Sequence, residues 1–195
     1  MQTILRAVRL LHELRGLLLI LTIPNPMSDL ANILERFRRG GELLAMSTTG
    51  AAGSELDFKP AGGHLSVRQI VCHLADAEIV GAMRLRQLIA EENPTLQYFD
   101  DDAWAEKLDY NKRKISQALE TFRRLRTENH ELLKDLPESA SARTGTHSKD
   151  GPMTLLQVIE WFASHLEGHV REIQEVRAAY REHRAKQAAA TPVQP

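Results

Sequence analysis

An all-α fold, a single four-helix bundle, is what this sequence predicts, and three observations carry the prediction. Apolar residues recur at helical spacing in four stretches of roughly 20 to 30 residues each. None of these stretches alternates with the period of two that marks a half-buried strand. The segments between them are rich in Gly, Pro, Ser, Thr and Asn, which punctuate helices. With 195 residues, 43% hydrophobic and 26% charged, the chain is long enough for one domain with a core and too short to expect two.

The first stretch runs from about Ser28 to Met46. In "MSDLANILERF", Ser28 or Asp29 stands as an N-cap ahead of Leu30, Ile33, Leu34 and Phe37 at helical spacing. Upstream, "MQTILRAVRLLHELRGLLLILTIPNP" pairs a basic start with the apolar run Leu17 to Ile23. That run falls short of the about 20 residues a spanning helix needs, and Pro24-Asn25-Pro26 replaces a small-residue cleavage site. Residues 1–26 are therefore expected to be an extension outside the fold, with Met27 as the biological start. The second stretch opens with Ser66 as N-cap and Gln69 three residues on, in capping-box register, and stops before Asn93-Pro94. A third runs from about Asn111 to Leu136, ending at Pro137. The fourth begins near Met153 or Thr154 and continues to about Arg184, so the expected bundle is 27–185 with 186–195 as a flexible tail. The connections at 47–65, 92–110 and 137–152 are long for a simple bundle, and long loops in compact domains build sites or crossovers.

Lys plus Arg number 25 against 26 Asp plus Glu, for a net charge of -1. No long-range field then favours nucleic acid or an anionic membrane, and neither is expected as a partner. The single cysteine, Cys72, allows no internal disulfide and no Cys-rich zinc site. A reducing cytoplasm is the expected location, and Cys72 reads as a small core residue.

Chemistry concentrates on the histidines. The fourth stretch has the apolar stripe Leu155, Val158, Ile159, Phe162, Leu166, Val170, Ile173 and Val176, and His165 and His169 fall inside it. Residues four apart share a helix face, and two imidazoles on a buried face cost free energy unless partnered. On the second stretch His73 borders the stripe Val67, Ile70, Val71, Leu74, Ala77, Gly81 and Leu85. A pair from one helix and one ring from a facing helix make a three-histidine metal site with an open position. Eight histidines also yield one such pair by chance roughly one time in three. On spacing alone the set therefore reads equally as a metal site or as core histidines satisfied by hydrogen bonds. His64 and His147 lie in loops ahead of the second and fourth helices, at the mouth of a pocket or on the surface. His12 belongs to the extension, and His130 and His183 read as solvated.

Among carboxylates, Glu78 falls on the second stripe and Asp76 follows His73 by three. Each fits either orientation of a ligand imidazole or an ion pair with an arginine. The triplet at 100–102 reads as a solvated loop and helix cap. No phosphate-binding glycine loop, Ser nucleophile elbow or HExxH motif is present.

Three segments, "LSVRQIVCHLADAE", "NPTLQYFDDDAWAEKLDY" and "RTGTHSKDGPMTLLQVIEWFASHLEGH", together resemble in order the DinB/YfiT-like family over about residues 28–180. The resemblance implies a four-helix bundle of up-down-down-up order. It also implies a divalent metal, zinc or nickel, held by three histidines that fall by motif position on His73, His165 and His169. Characterised relatives include S-transferases using low-molecular-weight thiols such as bacillithiol, and a mycothiol-dependent isomerase. One departure is Leu65, where the family usually has tryptophan.

The expected function is thiol S-transfer to a small electrophile, the metal lowering the pKa of bound thiol or water. His147 and Glu78 are the candidate catalytic groups, with His64 an alternative contact at the mouth. Two rivals are hydrolysis of a small amide or ester and a non-catalytic, metal-stabilised, stress-linked binding bundle. Cys72, Ile79 and Met83 form a secondary stripe that suits a homodimer or contact with the third helix.

Overall fold

The computed structural model describes residues 26–61 and 65–190. In chain order it contains helix α1 (Pro26–Thr48), the single turn α2 (Ser54–Asp57), α3 (Val67–Ala90), strand β1 (Thr95–Leu96), α4 (Asp101–Lys107) and α5 (Ile115–Lys134). After these come a 3₁₀ turn (Glu138–Ala142), β2 (Thr144–His147), β3 (Gly151–Thr154) and α6 (Leu155–Ala190). The chain divides into two units, residues 1–32 and 33–195. Of the first, the described residues 26–32 are helical; the core and the site belong to the second. His12, the extension up to residue 25, His64 and residues 191–195 lie outside the described residues.

Four helices dominate, as the periodicity predicts. α3 is buried on nearly every side from Val67 to Glu78, and its principal partners are α5 and α6. A helix with so little exposed surface must be apolar all round or have its polar groups paired, and α3 does both. Val67, Ile70, Val71 and Leu74 join Leu44, Phe122, Leu166 and Ile173 in one core cluster; Leu85 and Leu88 join Phe37, Leu155, Ile159 and Phe162 in another. The expected capping box is present, Ser66 Oγ accepting from the Gln69 amide at 3.3 Å and Gln69 Oε1 from the Ser66 amide at 3.1 Å. Leu65, in the place of the family's tryptophan, packs against the first cluster.

Several boundaries differ from expectation. α1 begins at Pro26, so Ser28 and Asp29 lie inside it rather than capping it; proline suits a first helical position because its missing N–H has no helical partner there. α5 starts at Ile115 and α6 runs on to Ala190. Cys72 is fully buried, its Sγ 3.9 Å from the Tyr110 carbonyl, so the expected secondary stripe reduces to the exposed Ile79 and Met83.

The long connections add short strands, which helical periodicity does not reveal. Two of the long connections pair as a three-stranded sheet: β1 runs parallel to β2 (Leu96 opposite His147), and β2 antiparallel to β3 (Gly145 opposite Met153). Gly151, at φ 83°, takes the left-handed conformation that the β2–β3 turn requires and that glycine adopts without a Cβ clash. The sheet brings Gln97 and His147 against Arg84 of α3. Among the described residues no helix is long and apolar enough to cross a membrane.

Candidate metal centre

α3 and α6 bring three imidazoles together. His165 Nε2 lies 3.0 Å from His73 Nε2 and 3.2 Å from His169 Nε2, and one ligand atom from each ring falls within 4.8 Å of the others. A tetrahedral ion bound at about 2.0–2.1 Å to each nitrogen sets nitrogens about 3.3 Å apart. Two sides of the triangle are thus already close to the required size, and the third is no longer than 4.8 Å. His73 is 6% exposed, while His165 and His169 are half-buried, so the cluster is screened without being sealed.

Proton bookkeeping supports a cation there. His169 Nδ1 lies 2.8 Å from a Glu172 carboxylate oxygen. An ionised carboxylate only accepts, so the proton sits on Nδ1 and His169 Nε2 turns its lone pair inward. His165 Nε2 carries one proton at most and cannot satisfy both neighbours. Burial, then the charge of His169, pushes the His73 pKa down to about 4. Burial, then His169 and His73, pushes His165 down to about 3. For His73 and His165 the neutral imidazole is thereby favoured, the form in which a ring binds a metal.

A second carboxylate approaches from the loop. Asp101 Oδ1 is 3.8 Å from His73 Nδ1. Its neighbour Asp100 caps α4, accepting from the Ala103 amide at 2.9 Å. The cap that the acidic triplet predicts is therefore Asp100, whereas Asp101 faces the histidines. Burial, then Asp102, holds the Asp101 carboxyl above the usual carboxylate range. Aromatic rings frame the cluster: Trp161 stacks on His165 with centroids 4.6 Å apart and planes at 12°, and Phe99 stacks on His73 at 6.5 Å.

Beside these rings opens a cavity of about 400 Å³, lined by Arg84, Phe99, Asp101, His147, Trp161 and Phe162 among others. Gly81 admits the Phe162 ring, whose atoms would lie 2.8–3.1 Å from a Cβ at that position. His147 does reach the cavity, 5% exposed, but its Nε2 lies 3.0 Å from Arg84 Nη2. Arginine only donates, so His147 Nε2 is an acceptor; its Nδ1 lies between the Asp150 backbone N at 3.1 Å and Asp150 Oδ2 at 2.9 Å. The lone pair that a general base would use is already engaged.

Glu78 is placed differently again. Its two oxygens accept from Arg126 Nη2 at 2.6 Å, from Arg126 Nε at 3.0 and 3.1 Å, and from Asn129 Nδ2 at 3.0 Å. Both members of the ion pair are 2% exposed, and Phe37 and Phe122 sandwich the guanidinium at 4.0 and 4.8 Å. Glu78 is thereby a core anchor. Asp76 likewise serves Tyr110 at 2.8 Å and Arg113 at 2.6 Å rather than His73. Sequence reasoning did not single out Glu172, Asp101 or Arg84. Glu172 had a readable signal, standing three residues after His169 on the same face.

A family model described as the DinB superfamily matches residues 36–173. A protein of Oceanobacillus iheyensis named "putative metal-dependent hydrolase" is 34% identical over 119 residues, covering 61% of this chain and 69% of that protein. YfiT of Bacillus subtilis, which carries the same name, is 27% identical over 124 residues, covering 62% and 70%. The solved structure of YfiT, described as an unusual four-helix bundle topology, aligns with a TM-score of 0.73 at 24% identity, over 77% of this chain and 87% of that one.

Proposed function

Since the chain belongs to the DinB superfamily, matched across residues 36–173, we propose that His73, His165 and His169 hold a divalent metal with which it hydrolyses a small molecule. The observation that carries this reading is the convergence of three Nε2 atoms beside the cavity of about 400 Å³. The names of the relatives support hydrolysis, and imidazole ligands suit zinc and nickel alike. An ion with three protein ligands and an open position supplies Lewis acidity to whatever group is placed there.

The chain's own residues do the rest. Glu172 fixes the His169 ring and its tautomer. Trp161 and Phe99 hold the rings of His165 and His73. Asp101, a cavity carboxylate with a raised pKa, takes the proton of the attacking nucleophile on Oδ1 and returns it to the leaving group.

A second reading is the S-transfer implied by the family resemblance, with a low-molecular-weight thiol as co-substrate. The aromatic wall favours it, because it offers an electrophile's apolar body a place to lie. Protein loaded with zinc or nickel, assayed on small amides, esters and electrophiles with and without bacillithiol, separates the two. Turnover without thiol supports hydrolysis, and turnover only with thiol supports transfer. Full metal occupancy without any turnover leaves a binding bundle, and failure of the folded protein to take up metal in stoichiometric amount removes the metal reading itself.

A further inference from the structure

Arg84 stands on the cavity wall with its charge unanswered at close range. It is 8% exposed, yet among the described residues only Nη2 is engaged, donating to the Gln97 carbonyl at 2.6 Å and to His147 Nε2 at 3.0 Å. Its Nε is buried without a hydrogen-bond partner among the described residues. A buried guanidinium ordinarily sits against a carboxylate, as Arg126 does against Glu78. Among the described residues, Arg84 has no carboxylate within ion-pair distance; Asp150 and Asp101 act on it only from farther away, and Asp150 is held by His147. The contacts of Nη2 with Gln97 and His147 fix the guanidinium in place, and among the described residues no hydrogen bond engages its other nitrogens.

The surroundings say what such a group would meet. Phe99 has the Arg84 guanidinium 6.0 Å from its centroid and the His73 ring at 6.5 Å. A molecule lying along Phe99 therefore reaches both. Tyr98, Trp161 and Phe162 complete a largely apolar wall.

We infer that this cavity takes a small carboxylate-bearing molecule with an apolar body, its carboxylate on Arg84 and its reacting group turned toward the three histidines. One guanidinium, with two aspartates at longer range, balances a single negative charge rather than the double charge of a phosphate. Arg84 is then a specificity-determining residue, and His147 a positioning residue that aims it. The inference rests on reading the cavity as the substrate's place beside the metal site.

The test titrates metal-free and zinc-loaded protein with 3-phenylpropanoate, 3-phenylpropanamide and phenyl phosphate, following tryptophan fluorescence, with calorimetry as the check. The acid binds at least about tenfold more tightly than the amide, the scale of one charge-assisted contact, and more tightly than the phosphate. Arg84→Gln abolishes the acid's preference and Arg84→Lys keeps part of it; if Arg84→Gln does not fold, the wild-type comparison and Arg84→Lys decide. The preference of the metal-free protein does not depend on whether zinc is taken up. Failure of the metal reading thus shows as lost zinc binding with the preference intact. Equal affinity for acid and amide, a preference for phosphate, a preference that survives Arg84→Gln, or no binding of the acid at tens of millimolar overturns the inference.

Discussion

His169 Nδ1 and a carboxylate oxygen of Glu172, one helical turn apart, lie 2.8 Å from each other. The contact sets the tautomer of His169 and aims its Nε2 at the Nε2 of His165, so an acidic residue outside the ligand set decides whether the triangle of nitrogens can accept an ion. Outer carboxylates of this kind change metal affinity by about 10- to 100-fold when removed.

Glu172→Ala is accordingly expected to weaken zinc or nickel binding by about 10- to 100-fold while the far-UV dichroism stays native. Glu175, exposed on the same helix, is the control, and Glu175→Ala leaves affinity unchanged. Chelator competition measures both. Equal affinities in the two variants would show that Glu172 does not orient its neighbour.

The lowered pKa values of His73 and His165 set a pH dependence with a definite sign. Folded, these rings titrate near about 4 and about 3; unfolded, a histidine titrates near about 6.5. Between those values the unfolded chain binds more protons than the folded one, so stability rises with pH across that window and falls on acidification. Urea midpoints of metal-free protein are expected to drop from about pH 6.5 toward pH 4. The slope should flatten in His73→Gln/His165→Gln. A wild-type midpoint flat across this range would mean that the rings are not held neutral.

Removing one member of the Glu78–Arg126 pair leaves a charge stranded in a core where both are 2% exposed. Glu78→Ala and Arg126→Met are each expected to cost about 3–5 kcal/mol by denaturant unfolding, and the double variant less than the sum of the two. Strict additivity in that cycle would contradict the direct pairing.

What was legible in the sequence follows from periodicity. The four helices and the Ser66–Gln69 capping box are legible because a 3.6-residue repeat over 20 or more positions places side chains on faces with no knowledge of loops; the same repeat puts His165 and His169 on one buried face, but choosing a ligand set with His73 over core histidines rests on the family resemblance. The strands are not legible, because β1 has two residues and β2 and β3 four each, too short to show alternation. Asp101 was illegible for the same reason, since only the path of that sheet brings it to His73. Arg84 was hidden by its type: a cation on a helix reads as solvated until the neighbouring elements are known to bury it. Glu78 shows the converse, a carboxylate on an apolar stripe whose partner, Arg126, lies 48 residues on.

Gly81 connects this packing to the cavity. Alanine there would gain about 1 kcal/mol of helix propensity over glycine, but its Cβ would lie 2.8 Å from Phe162 Cζ and 2.9 Å from Cε1. Overpacking of this kind costs about 1–3 kcal/mol, so the clash outweighs the propensity. The Phe162 ring must yield, and the volume into which it can move is the cavity it lines. Gly81→Ala is therefore expected to lower stability by up to about 2 kcal/mol and to weaken binding of small molecules in the cavity. It should also perturb Trp161, whose ring meets Phe162 edge-on at 4.8 Å. Zinc affinity should stay near wild type, because the atoms nearest an added Cβ at Gly81 belong to Phe162 rather than to the three histidines. A more stable Gly81→Ala variant with unchanged tryptophan fluorescence would show that α3 has room at this position, and that the close approach of Phe162 does not shape the cavity.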